Sequence, residues 1–541
     1  MTAPHHARPV SVFGRGRSSL DGITPDVVGF KAYNLMRMDR AGLRVPPGFV
    51  LHTELCRQYL ADGGKLSSSV VDLIAAEMHA LEQGTGLAFG DSRRPLLVSV
   101  RSGAPVSMPG MMDTLLDVGL TDGTVQGLIR RTGNPHLAWD SYRRLVATYT
   151  EVVHRGRDVL DAAVRARLAA EDVASVDELD TRGLRALTQD SLEQARTLTG
   201  HGFPQDPFGQ LAGAVEAVFR SWNSERAVAY RGMHGLQDVS GTAVIVQAMV
   251  FGNAGGNSGS GVGFTRNPAT GADELYFDFA FDAQGEDVVA GRQSLSDPMR
   301  LAHLMPEFYA ELLRIRRALE LEFGDMQDFE FTAEDGDLYM LQTRAGKRTP
   351  LAAVRLAAAM TDEGLIDART ALARIAEIDV STINADRIEA PLTDAVADAI
   401  TASSGIALGP IALDGAAAQV HAAAGRTPVL VRMSASTEDI EGFAAASGIL
   451  AASGGRTSHA AVVARQMGKV CLVGCQTLEV DLDARCCTIG GRRFAEGDML
   501  ALDGNTGHVF PGTVTVERGP SQSDLEAIER IRALAQAPSL P

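Results

Sequence analysis

Lysine is nearly absent from this 541-residue chain: of 50 basic residues only Lys31, Lys65, Lys347 and Lys469 are lysines. Where arginine fills almost every cationic position, a retained lysine is a candidate for chemistry that wants a compact ammonium. Cysteine is sparse too. Cys56, Cys471, Cys475, Cys486 and Cys487 form no disulfide framework and suit a reducing, cytoplasmic setting. The last four have apolar neighbours and include an adjacent pair, which fits buried small side chains better than a zinc site. Positive charge is in deficit: 67 acidic residues give a net charge of −17, which disfavours nucleic acid or an anionic membrane as a partner. No apolar run approaches the roughly 18–20 residues of a membrane-spanning helix. The first 20 residues carry Arg8, Arg15 and Arg17 without the apolar segment of a secretory signal. A chain this long predicts about two to four domains, each with its own core.

The most informative stretch runs from Gly454 to Gly468 (GGRTSHAAVVARQMG). Two glycines end the apolar run Gly448–Ala452, Thr457 and Ser458 offer capping hydroxyls, and a helix-forming segment follows as far as Gly468. His459 then stands in a first helical turn, where unpaired N–H groups and the positive end of the dipole face outward. An imidazole there can attack phosphorus, and the phosphoryl group it gains lands on a ready anion site. The same field disfavours a proton on the ring. The alternative is a surface histidine near a capped helix, and Thr457 serves either as that cap or as a hydrogen-bond donor to a phosphoryl group.

Four further stretches bear on phosphate chemistry. Val28–Leu35 (VGFKAYNL) places Lys31 after a glycine at a helix start. Leu96–Gly103 reads as a buried strand that carries Arg101 into a loop, where a guanidinium can fork onto phosphate oxygens or pair with a carboxylate. Between apolar runs lies Phe251–Pro268 (FGNAGGNSGSGVGFTRNP), whose glycines, among them Gly255, Gly259 and Gly261, allow backbone N–H groups to fold over a polyphosphate or make a plain hairpin. Its spacing differs from the Walker A and Rossmann patterns. Asp325–Phe331 alternates acidic and apolar residues, turns at Glu334–Asp337, and continues as Leu338–Arg344. As a hairpin this puts Asp328 and Glu330 on one face, with Gln342 and Arg344 alternating likewise on the partner strand. Oxygen ligands beside a guanidinium suit magnesium-triphosphate, although charged strand faces are often only solvated.

The His459 stretch resembles the phosphohistidine signature of the phosphoenolpyruvate-utilising enzymes, and FAEGD (494–498) and LDGNTG (502–507) resemble the end of the same swivelling domain. The N-terminal stretches are similar to the ATP-grasp part of the pyruvate phosphate dikinase branch. The resemblance implies an α/β and α+β multidomain architecture, an ATP-grasp domain followed by a swivelling α/β phosphohistidine domain. It implies His459 as the phosphate carrier, assisted by Arg101 and Thr457. It also implies ATP contacts from Lys31, Arg101, Glu286, Asp328, Arg344 and the lid glycines Gly255, Gly259 and Gly261, with Mg²⁺ held by Glu330 and Gln342. The expected division is a disordered lead (1–9), the ATP-grasp domain (10–348) with a helical subdomain near 120–198, and a helical connector (349–389). The swivelling domain (390–516) and a short tail with one helix (517–541) follow.

A full-length member of the branch continues into a β/α barrel that binds pyruvate and phosphoenolpyruvate, and the expectation from this sequence is that the barrel is missing. The implied chemistry is therefore the ATP half-reaction: β-phosphate of ATP to His459, with AMP and, given inorganic phosphate, pyrophosphate as products. Three readings stand. The phosphoryl group passes to pyruvate on a separate barrel protein, or it passes to a different acceptor, or catalysis has lapsed and the chain senses nucleotide. A homo-oligomer is left open.

Overall fold

The computed structural model describes residues 8–536 apart from 107, 109–111, 155–158, 201, 234, 237, 238, 240, 286–300, 304, 379–385, 435–439, 456–458, 518 and 520. The chain divides into two compact units: residues 1–259 with 331–343, and residues 260–330 with 344–541.

The first unit is built on five antiparallel strands: β1 (Val10–Phe13), β2 (Gly48–Leu51), β3 (Val98–Gly103), β4 (Thr114–Val118) and β5 (Ala243–Ala248), in the order β1-β2-β5-β3-β4. Every residue of β2 and β5 is buried, so apart from Gln247 these strands lack polar residues and do not alternate. Helices supply the cover. Pro135–Val152 starts with proline at its first position and with the Asn134 side chain accepting from the Leu137 N–H at 3.1 Å. Its Tyr142 and Leu145 join Phe49, Val98, Val246 and Phe219 in one large core.

A second sheet contains β6 (Gly259–Phe264), β7 (Tyr276–Phe281), β8 (Gln327–Glu334) and β9 (Asp337–Ala345), ordered β9-β8-β6-β7. Its hairpin tip, 331–343, counts with the first unit and most of the rest with the second. The β8–β9 turn is Asp335-Gly336, both at positive φ (52° and 86°), the tight two-residue turn that Asp-Gly favours.

In the second unit, helices Pro350–Asp362, Ala368–Ile375 and Gln522–Gln536 share an apolar cluster that includes Val354, Ile375, Ile528 and Ile531. Arg355 forks onto Asp524 at 2.7 and 3.0 Å across that cluster. Strand Arg387–Glu389 pairs with Thr515–Glu517, which brings the entry and exit of the following domain side by side. That domain holds β10 (Ala397–Asp398), β11 (Ile400–Ser403), β12 (Ile406–Ala412), β13 (Val429–Arg432), β14 (Gly448–Ala451), β15 (Val470–Val473), β16 (Met499–Asp503) and β17 (His508–Pro511). Their order is β10-β17-β16-β12-β13-β14-β15-β11, and β12 to β15 run parallel. One face packs Val431, Leu450 and Leu472; the other packs Leu430, Ile449 and Cys471 under Ala418, Phe443, Ala461 and Ala464 of three crossing helices. This is the mixed α/β, multidomain architecture that the resemblance implied. Among the described residues no helix is long and apolar enough to cross a membrane.

Candidate functional site

In the first unit the chain draws Lys31 and Arg101 to one end of the β-sheet. Helix Pro25–Arg40 is interrupted at Gly29, whose φ of 75° and ψ of 155° are not helical. Gly29 lies against the end of β3 so closely that a Cβ would stand 2.0 Å from the Gly103 carbonyl oxygen, so no other residue fits. The next N–H, of Phe30, donates to Ala104 O at 2.9 Å. Lys31 thus begins the regular helix beside the strand that carries Arg101. Further along the helix, Asn34 Nδ2 donates to Thr343 O at 2.8 Å, next to the half-buried Gln342 on β9.

Arg101 is oriented by a residue that the sequence left without a role. Its Nη2 donates to Gln247 Oε1, while Gln247 Nε2 donates to Pro46 O at 2.9 Å. Gln247 is fully buried in β5. The signal was present: it is the only polar residue among Ala243–Ala248, and a buried amide needs partners on both of its ends.

The glycine-rich run is divided between a loop and a strand. Gly255, at φ 138°, stands in the loop with open space where a Cβ would project. The end of this loop is tied to the hairpin turn: Gly336 N donates to Asn257 O at 3.0 Å and Asp335 N to Ser258 Oγ at 3.1 Å. Gly259 and Gly261 lie in β6, which is buried throughout. Close packing accounts for at least one glycine in that strand, since a Cβ on Gly263 would come within 2.7 Å of Phe277 Cβ.

In the second unit Arg344 Nε donates to Asp328 Oδ2 at 2.7 Å; the side chains are 47% and 16% exposed. Burial works against the Arg344 cation, but Asp328, with help from Glu330, outweighs it and holds the guanidinium pKa above its ordinary value. From Gln327 to Phe331 β8 alternates buried and half-buried residues, and Asp328 and Glu330 share its less buried side.

His459 is the first residue of the helix His459–Gln466, which follows β14 and precedes β15. It therefore stands at the carboxyl end of the parallel strands, where open α/β sheets place their ligands. Thr457 and Glu286 lie outside the described residues. All five cysteines are buried free thiols. Burial pushes Cys56 up to about 11 and Cys471 and Cys487 to about 12, so none of these three supplies a thiolate near neutral pH. Among the described residues no group of three or more His, Cys, Asp or Glu side chains is arranged for a metal ion.

Two family models match the chain. Residues 64–304 match "Pyruvate phosphate dikinase, AMP/ATP-binding domain", and residues 425–507 match "PEP-utilising enzyme, mobile domain". The chain carries an AMP/ATP-binding domain of the pyruvate phosphate dikinase type and a mobile domain of the PEP-utilising enzymes. Arg101, Gly255, Gly259, Gly261 and Glu286 fall in the first match, and Thr457 and His459 in the second. The chain is 41% identical over 529 residues to pyruvate, phosphate dikinase of Clostridium symbiosum, covering 96% of this chain and 60% of that protein. It is 41% identical over 525 residues to the enzyme of Rhizobium meliloti, covering 94% and 58%. The chloroplastic dikinase of Flaveria pringlei is also 41% identical, over 543 residues, covering 98% and 56%. The chain thus spans somewhat more than half the length of these relatives.

Proposed function

We propose that this protein is a dikinase-type phosphotransferase that carries out the ATP half-reaction. A neutral imidazole nitrogen of His459 attacks the β-phosphorus of ATP. The bond from that phosphorus to the α–β bridging oxygen breaks, and AMP leaves with the electron pair. The γ-phosphoryl group goes to inorganic phosphate as pyrophosphate, and the β-phosphoryl group remains on His459. The observation that carries this reading is the position of His459 at a helix N-terminus on the carboxyl edge of parallel strands, within a matched mobile domain. Lys31 and Arg101, the latter steered by Gln247, neutralise charge on the triphosphate, and Arg344, steered by Asp328, meets the charge that develops on the transferred group.

The dikinase type also implies magnesium. The donor set fits: Glu330 and Gln342 offer a carboxylate and an amide oxygen, and magnesium binds through one or two such protein oxygens plus phosphates. When bound, the ion would neutralise charge on the β- and γ-oxygens. As acceptor we propose pyruvate, the substrate that the relatives' names carry.

The test is incubation with ATP labelled at the β-phosphate, beside His459→Ala, with and without inorganic phosphate. Acid-labile label on the wild type alone, rising with phosphate, is expected. ATP binding without label in either protein would overturn this reading and favour a nucleotide sensor.

A further inference from the structure

The helix that begins at His459 is fastened to the second sheet by its own arginine. Arg465 lies six residues after His459, about 9 Å along the helix axis. Its Nε and Nη2 donate to Ala402 O at 3.2 and 2.8 Å, and its guanidinium carbon sits 5.8 Å from the centre of the Phe264 ring. Ala402 belongs to β11, the edge strand of the mobile domain; Phe264 ends β6 of the other sheet. One cation therefore touches both bodies.

Two further contacts surround it. Tyr276, on β7 and buried, stacks its ring edgewise on Phe264 with centroids 6.2 Å apart, and its hydroxyl donates to Thr401 O. Ser404 Oγ donates to Ala269 O at 3.2 Å. Each of these polar contacts sets a side-chain donor against a main-chain carbonyl, a kind of interface that can part and re-form without stranding a buried charge. The strand pair Arg387–Glu389 with Thr515–Glu517 joins the entry of the mobile domain to its exit, and a body bracketed in this way can turn as a unit. Without a second fastening, the N-terminus of the His459 helix would have no fixed position relative to β6 and β8.

We infer that Arg465 is a positioning residue, which together with Tyr276 registers the His459 helix against the nucleotide-binding sheet for phosphoryl transfer from ATP. This rests on the reading of His459 as the phosphoryl carrier. Arg465 touches no substrate; it acts through the helix it shares with His459. Losing the contact leaves the ATP pocket and the imidazole intact but blurs the distance between them, and such misplacement is costly for in-line transfer.

The test is single-turnover labelling of the full chain by β-labelled ATP at saturating concentration, comparing wild type, Arg465→Met, Arg465→Lys and Tyr276→Phe. Arg465→Met is expected to slow labelling roughly 10- to 100-fold, with an unchanged dissociation constant for ATP and unchanged acid lability of the label formed. Arg465→Lys should recover part of the rate, because an ammonium keeps one donor and the ring contact but not the fork. Tyr276→Phe, which removes only a hydroxyl, should slow labelling less and decides the matter if Arg465→Met does not fold. Wild-type labelling with Arg465→Met or Tyr276→Phe labelling equally fast would overturn the positioning role and leave His459 standing. A wild type that takes no label would overturn the carrier reading, and the positioning role with it.

Discussion

Two arginines in the second unit show how differently one residue type is used. Arg266 follows β6 and is 1% exposed; Arg344, on β9, is 47% exposed. Arg266 makes four hydrogen bonds to two carboxylates: to Glu320 at 3.0 and 2.9 Å and to Glu363 at 2.7 Å from two nitrogens. Burial opposes its charge, but Glu363 and Glu320 outweigh that and raise its pKa. Among the described residues Arg344 has one such bond, to Asp328, and its side chain is about half exposed. A guanidinium enclosed by two carboxylates joins β6 to helix Pro306–Phe323 and helix Pro350–Asp362 and holds the scaffold. One steered by a single carboxylate keeps donors for a ligand.

Substitution is the direct way to break that comparison. Arg266→Met takes both of its guanidinium hydrogen bonds from Glu320, which is 2% exposed and keeps Arg316 at 3.9 Å, and should cost about 3 kcal/mol of stability in denaturant unfolding. The same variant changes the pH response. The hydrogen bond from Arg266 holds Glu363 below its ordinary value of 4.5. A depressed carboxylate contributes stability above its unfolded pKa and loses it as the pH falls through the folded value. Wild-type stability should therefore drop on acidification below about pH 4.5, and Arg266→Met should drop less steeply over the same window. An equal slope would remove Glu363 from the account.

Arg344→Met should do the reverse. A half-exposed pair contributes about 0–1 kcal/mol, so unfolding should scarcely change. Labelling of His459 by ATP should fall on the order of 10²- to 10³-fold. A large loss of stability with an intact labelling rate would erase the distinction between the two arginines.

Gln247→Leu sharpens the comparison from the other unit. It removes the acceptor that steers Arg101 and leaves the buried Pro46 carbonyl without its donor, at about 1–3 kcal/mol. Labelling should slow roughly tenfold, less than in Arg344→Met, because the Arg101 charge remains.

Much of this was legible in the sequence, for local reasons. Asp335-Gly336 between alternating strands specifies a two-residue hairpin, and the structure has it at those residues. The run from Leu96 has the pattern of one buried strand into a loop; the structure has Pro95–Leu96 as a short separate strand and β3 from Val98. His459 at a helix start follows from two glycines, two hydroxyl residues and a run of alanines and valines. What remained hidden depends on partners far away in sequence. Gln247 gains its meaning from Arg101, 146 positions earlier. Arg266 looks like part of a glycine-rich loop until Glu320 and Glu363 fold onto it. Gly261 reads the same in a phosphate loop as in a packed strand, because composition does not tell backbone freedom from side-chain crowding. Arg465 belongs to the most recognisable motif in the chain, yet its contact with Phe264 requires the tertiary arrangement of the second unit.

The central claim is that His459 receives the β-phosphoryl group of ATP, and mapping the modified residue tests it most directly. The protein would be treated with ATP, magnesium and phosphate, kept at alkaline pH to preserve phosphohistidine, digested, and fragmented by a method that retains the labile group. The account predicts a single phosphoryl group on the peptide carrying Thr457, Ser458 and His459, located on His459 and absent from His459→Ala. A phosphoryl group on Thr457, on Ser458 or on another histidine would contradict it.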